Sequence, residues 1–212
     1  MAKKTPKSYK KNVFINCPFD DEYYSLLRPL LFVIIYNGLN PRISSETFDS
    51  GKIRISNICE LISESQYSIH DLSRLKAKKE GEYYRLNMPF ELGIDYGCRL
   101  FSGGPYDNKK HLILEAKKYE YMKAISDLSG FDIKSHNNEP EMVVKTIRNW
   151  FVETLGMFPV ESSTKIWYKF CDFASDFYDK RKAEGFSDSD LNMMPVPEYI
   201  KYMKEWIRLN KK

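Results

Sequence analysis

Between residues 12 and 135, short apolar runs alternate four or five times with longer stretches whose apolar residues recur at helical spacing. The runs are continuous rather than strictly alternating, as in strands covered on both sides. That pattern confines the chain to an α/β fold with a parallel sheet and helices on both faces. The expected strands are Asn12–Cys17, Pro41–Glu46, Tyr67–Asp71 and His111–Glu115, with a short helix and a fifth strand within Ser126–Ile133.

The helices follow from the same periodicity. Asp20 and Asp21 offer an N-cap for a helix over about Glu22–Asn37, with Leu26, Leu27, Leu30, Leu31, Ile34 and Ile35 on one face and Gly38 as its stop. A second helix, Lys52–Ser63, turns Ile53, Ile55, Ile58, Leu61 and Ile62 inward. A third begins near Asn87, a good N-cap residue, and tolerates Pro89 in its first turn. The segment between, Leu72–Leu86, is long and rich in Lys and Glu, a length more typical of functional loops than of plain connections. Beyond Glu139 the strands stop and three helices are expected, Glu141–Leu155, Ile166–Ala183 and Glu198–Leu209. The chain thus divides into an α/β part, 12–137, and a helical extension, 138–212, packed on it or used for assembly.

Composition narrows the function classes. With 42% hydrophobic and 15% aromatic residues in 212, the chain can bury a proper core. A net charge of +4 is mild and comes largely from lysines near both ends, so nucleic acid is a weak candidate partner. The four cysteines have no CxxC spacing and the three histidines are scattered. No metal site is expected, and free thiols in a reducing, cytoplasmic compartment are the default reading. The longest apolar run, Leu30–Tyr36, is far too short to cross a membrane.

In an open parallel sheet, ligands bind beyond the carboxyl ends of the strands. The predicted strands deliver Asn16 and Phe19, then Ser44 and Glu46 with the Asp49-Ser50-Gly51 turn, Lys52 and Arg54, then His70, Asp71 and Ser73. The third helix adds Asn87 and Glu91, the latter about one turn in. This rim of carboxylates and amides, with a glycine turn and two cations, suits a nucleotide or a sugar. Glu91 fits either a complement to the helix dipole or a working acid. There is no G-x-G-x-x-G after the first strand, no Walker A sequence and no G-x-S-x-G elbow, which disfavours the dehydrogenase, P-loop and common hydrolase sites.

Val13-Phe-Ile15, Ser50-Gly51 with Arg54, Ile69-His-Asp71-Leu-Ser73 and above all Asn87-Met-Pro-Phe-Glu91-Leu-Gly93 resemble two related groups. One is the nucleoside 2-deoxyribosyltransferase-like group. The other is the bacterial TIR-like group, whose nucleotide-binding members carry an N-x-x-[FY]-E-L-G signature. The resemblance spans about residues 12–135. It implies a flavodoxin-like sheet and cleavage of an N-glycosidic bond, with Glu91 as the catalytic group. It also implies that Asn87 contacts the sugar or fixes the loop and that Asp71 binds the ligand. Where the transferase pattern has a tyrosine near the end of strand one, this chain has Cys17 and Phe19.

Breaking a C–N glycosidic bond passes through an oxocarbenium-like state that a carboxylate stabilises or traps. The nicotinamide of NAD is cationic and departs neutral, so no general acid is needed. The expectation is therefore an N-glycosidase with NAD or a related nucleotide as substrate and no cofactor. Such domains commonly serve as effectors of bacterial anti-phage defence, in a homo-oligomer or with a partner protein. The alternatives are a non-catalytic nucleotide-sensing or scaffolding domain and a deoxyribosyl hydrolase or transferase.

Overall fold

The first apolar run forms β1, Asn12–Asn16, buried along its whole length because both faces are covered. The computed structural model describes residues 5–46, 51–74 and 86–211. Within them β1 is followed by α1 (Tyr24–Tyr36), β2 (Asn40–Ile43), α2 (Arg54–Ser63), β3 (Tyr67–Asp71), α3 (Asn87–Phe101), β4 (Lys110–Glu115) and the two-residue β5 (Lys134–Ser135). Four further helices complete the chain: α4 (Pro140–Glu153), α5 (Ser163–Ala183), α6 (Asp188–Asn192) and α7 (Val196–Asn210). The strands pair in parallel in the order β2-β1-β3-β4-β5. This is an α/β, flavodoxin-like sheet with helices on both faces and additional C-terminal helices.

Successive strand residues point to opposite faces, and the core divides accordingly. Val13, Ile15, Ile69, Leu112 and Leu114 face α1 and α4 in the main core. On the other face Phe14 packs against Ile58, Leu61 and Ile62 of α2, while Ile113 meets Met88 and Leu92 of α3.

Helix α1 is buried on nearly every side, because the C-terminal helices cover the side that the sheet does not. Phe32, fully buried, stacks on Phe173 of α5 at 5.7 Å and lies 6.1 Å from Trp206 of α7. Trp150, Phe151, Phe173, Phe177 and Tyr199 of the extension are therefore core, whereas Phe158, Tyr168 and Tyr178 are exposed.

Several boundaries differ from the sequence expectation. Tyr23, not an aspartate, occupies the N-cap position of α1, while Asp20 Oδ1 accepts the Tyr23 N–H at 3.1 Å one turn earlier. The second strand stops at Ile43, and Ser44–Glu46 winds into a 3-10 turn in which Glu46 accepts from Arg42 at 2.7 Å. Helix α2 starts at Arg54, so Ile53 (71% exposed) and Ile55 (36%) lie outward and only Ile58, Leu61 and Ile62 are buried. In α3, Leu86 holds the N-cap position without a side-chain cap, and Asn87 is the first helical residue rather than the cap. The fifth strand follows Ile133 instead of ending there. Most of the Lys/Glu-rich loop, and the Asp49-Ser50 half of the glycine turn, lie outside the described residues. No helix among the described residues is long and apolar enough to cross a membrane.

Candidate functional site

The sheet order puts β1 between β2 and β3, so the chain leaves β1 in one direction and resumes on its other side. The crevice beyond the carboxyl ends of β1 and β3 is the topological switch point where this architecture binds ligands. Asn16 and His70 are register partners there. The buried Asn16 amide donates to His70 Nδ1 at 3.1 Å and to the Met88 carbonyl at 2.8 Å. One side chain thereby ties the first turn of α3 to both central strands and fixes where Glu91 emerges.

Glu91 is only 4% exposed. Burial pushes its carboxyl above the usual range, and Arg54, with Nη2 3.4 Å from Oε1, partly offsets that. The Arg54 side chain is 57% exposed, so water screens much of this contact. The neighbouring Cys17 thiol is pushed well up, first by burial and then by the Asp71, Glu91 and Asp20 carboxylates, and stays a neutral thiol.

His70 and Asp71 are consecutive on β3 and so serve opposite faces of the sheet. Asp71, fully buried, has both oxygens engaged inside the protein. Oδ2 accepts from the Tyr23 hydroxyl at 2.5 Å and from His136 Nε2 at 3.0 Å. Oδ1 accepts from the Ser73 N–H at 2.9 Å and from the Ser73 hydroxyl. The Asn138 N–H donates to His136 Nδ1 at 3.0 Å, which leaves the His136 proton on Nε2, toward Asp71. Burial raises the Asp71 carboxyl, yet the bonds from His136, Ser73 and Tyr23 outweigh it and hold the group below its ordinary range. Tyr23 is correspondingly held well up, by burial and then by Asp71. Asp71 thus ties β3 to the start of α1 and to the segment after β5, and Ser73 is drawn into the same knot.

On the other face His70 Nε2 meets Asp95 Oδ2 at 3.0 Å. His111 Nδ1 lies 3.3 Å from that oxygen, and the fully buried Lys109 ammonium 3.1 Å from Oδ1. Lys109 also donates to the Ile62 carbonyl at 2.9 Å and to the Ser65 carbonyl. Burial raises the Asp95 carboxyl, but His111, His70 and Lys109 together hold it well below the usual range. Burial lowers His70, keeping it neutral. The donor atoms of His70, Asp95 and His111 lie within 4.8 Å of one another, close enough for one cation. Lys109 already balances the carboxylate, and a divalent ion beside that buried ammonium would leave excess positive charge in the core. The cluster is better suited to an ion pair than to a metal.

Around the crevice, Gly51 and Asn87 are exposed at the starts of α2 and α3, and Phe19 is 37% exposed just past β1. Lys52 pairs with Glu60 rather than standing free for a phosphate. Ser50 lies outside the described residues. Tyr23, Asp95, Lys109, His111 and His136 were not singled out as a site by the sequence. Their one legible signal is the spacing of Asp95 four residues after Glu91, which puts two acids on one side of α3. Compared with family models, with curated proteins and with solved structures, the chain matches none.

Proposed function

We propose that this chain is an N-glycosidase acting on NAD or a related nucleotide, with Glu91 as the catalytic carboxylate. The observation that carries the reading is the placement of Glu91, a buried acid at the switch-point crevice whose position is fixed through Asn16 and whose charge is supported by Arg54. An ionised Glu91 would face the anomeric carbon as the C–N bond breaks. The bond pair leaves with the nicotinamide, which becomes neutral, and the carboxylate stabilises or traps the positive sugar until water adds. Asn16 would act as a positioning residue, and Arg54 would keep Glu91 ionised. Gly51, Asn87 and Phe19 would line the approach to the sugar and base. The Asn87–Gly93 motif supports the further reading of a bacterial defence effector.

The test is release of nicotinamide from NAD by the purified chain and by Glu91→Gln. A loss of about 100-fold or more is expected, the scale for removing a group that acts on the transition-state charge. Turnover that survives the substitution would remove Glu91 from the mechanism.

A second reading is a non-catalytic nucleotide sensor, favoured by the internal engagement of both Asp71 oxygens. Calorimetric binding of NAD with no product would support it. A deoxyribosyl hydrolase would instead release free base from a deoxynucleotide. Cys17 and Phe19, standing where the transferase pattern has a tyrosine, give that chemistry less support.

A further inference from the structure

Two deeply buried polar side chains have no partner, and both line one cavity. Trp150 is 5% exposed, and its indole Nε1 has no hydrogen-bond partner among the described residues. The His111 side chain is 4% exposed, and its Nε2 is likewise unpartnered there. Both residues border a cavity of about 400 Å³ between the outer edge of β4 and α4. Leu112, Ile113 and the half-buried Phe131 give it apolar walls, and Asn149 adds an amide. That volume suits a small molecule of one or two rings.

Asp95 fixes what His111 can offer. His111 Nδ1 lies 3.3 Å from Asp95 Oδ2 and 2.8 Å from Ser68 Oγ. An ionised carboxylate only accepts, so the His111 proton sits on Nδ1 and the neutral ring leaves Nε2 as an acceptor at the cavity wall. The indole Nε1 of Trp150 only donates. The cavity therefore has one unanswered acceptor and one unanswered donor. Buried groups of this kind are rarely left unpaired, because each loses its water without a replacement bond.

The strand edge adds a second such pair. In β4 the Lys110 N–H and the Leu114 carbonyl bond toward the β3 side, with Gln66 and Leu72. The main-chain groups of alternate residues point to opposite edges, so those of His111 point away from β3. Strand β5 pairs only with Leu114 and Glu115, which leaves no described strand beside His111. His111 is partly exposed as a residue although its side chain is buried, so the exposure belongs to its main chain. Its N–H and C=O thus stand side by side on an open edge. A carboxamide or a ring lactam, with N–H and C=O on one side, answers both. A carboxylate has no proton to give and cannot.

We propose that this cavity is a binding site for a small planar molecule carrying a primary carboxamide or a ring lactam, whose N–H and C=O meet the acceptors and donors of His111 and Trp150. His111 lies four residues before Glu115, so the site is roughly 13 Å along β4 from the end that faces the switch-point crevice. The inference is independent of what Glu91 does.

Nuclear magnetic resonance of the full chain tests it, read at the Trp150 indole N–H and the His111 main-chain N–H. Benzamide supplies the carboxamide and uracil the lactam. Saturable shifts of both signals are expected with at least one of them, at a dissociation constant below about 1 mM. Benzoate, which keeps the ring and loses the N–H, should bind about tenfold more weakly or not at all. Trp150→Phe keeps an aromatic ring and removes the indole donor. It should weaken binding about threefold or more, read at His111, with circular dichroism confirming the fold. No saturable shift at these two signals with either amide would overturn the proposal. So would benzoate binding as tightly as benzamide, a comparison that needs no variant, or a folded Trp150→Phe that binds unchanged.

Discussion

At the scale of single residues, the electrostatics of the crevice come down to which carboxylate is left with room to act. Asp71 is saturated by Tyr23, Ser73 and His136, and Asp95 is paired with Lys109, so both are held ionised and inward. Glu91 is different: burial alone would favour its neutral form, and one half-exposed arginine opposes that. This gives a signed prediction. If the reaction needs ionised Glu91, activity rises with pH through its raised pKa. Removing Arg54 takes away an influence that lowers that pKa, so in Arg54→Ala the acid limb of the rate profile should move to higher pH. The shift should be modest, because Arg54 is largely in water. Nicotinamide release measured across a pH series checks it, and a limb that moves down or stays fixed would separate Arg54 from Glu91. Helical spacing was enough to put Glu91 one turn into α3. Nothing in the sequence shows that Tyr23, Asp71 and His136 meet, because long stretches of chain separate them.

Among the elements, α3 does the most to define the crevice, and its position is set from below. Asn16 holds its first turn, while Asp95 anchors its middle to β3 and β4 through His70, His111 and Lys109. A buried ion pair loses much when one partner goes, because the remaining charge is stranded away from water. Lys109→Met should therefore destabilise the fold by about 3–5 kcal/mol, read as a lower denaturant midpoint. Pairing it with Asp95→Asn should recover part of the loss, since no lone carboxylate then remains. Equal losses in the single and double variants would mean that Lys109 acts through its carbonyl contacts to Ile62 and Ser65 instead. The sequence located α3 but mistook its start. Asn87 fits a cap by residue type, and the chain enters the helix one position earlier.

Over the whole molecule, the main core does not stop where the strand–helix alternation ends. It runs from the sheet through α1 into α4, α5 and α7, and Phe32 touches aromatic rings from two of those helices. A chain cut after residue 137 would expose the outer side of α1, including Phe32, Val33 and Tyr36. Such a piece is expected to lose cooperative unfolding or to aggregate, even though it keeps every strand. A sharp melting transition in the truncated chain, close to that of the full one, would show that the helical extension is dispensable for folding.

Local chemistry was sufficient for the order and type of the strands and the long helices, though not for the five-residue α6. Apolar runs too short for helices had to be strands, and their lack of alternation required cover on both faces. The same reasoning identified α1 as amphipathic from its leucines and isoleucines and placed Glu91 near the start of α3. Only the tertiary structure decided that the other side of α1 is buried as well, since that depends on helices more than a hundred residues away in sequence. It alone brought the three histidines, scattered along the chain, into two separate buried clusters. The reason is geometric: adjacent residues of one strand face opposite ways, so His70 and Asp71 collect partners from different layers of the fold.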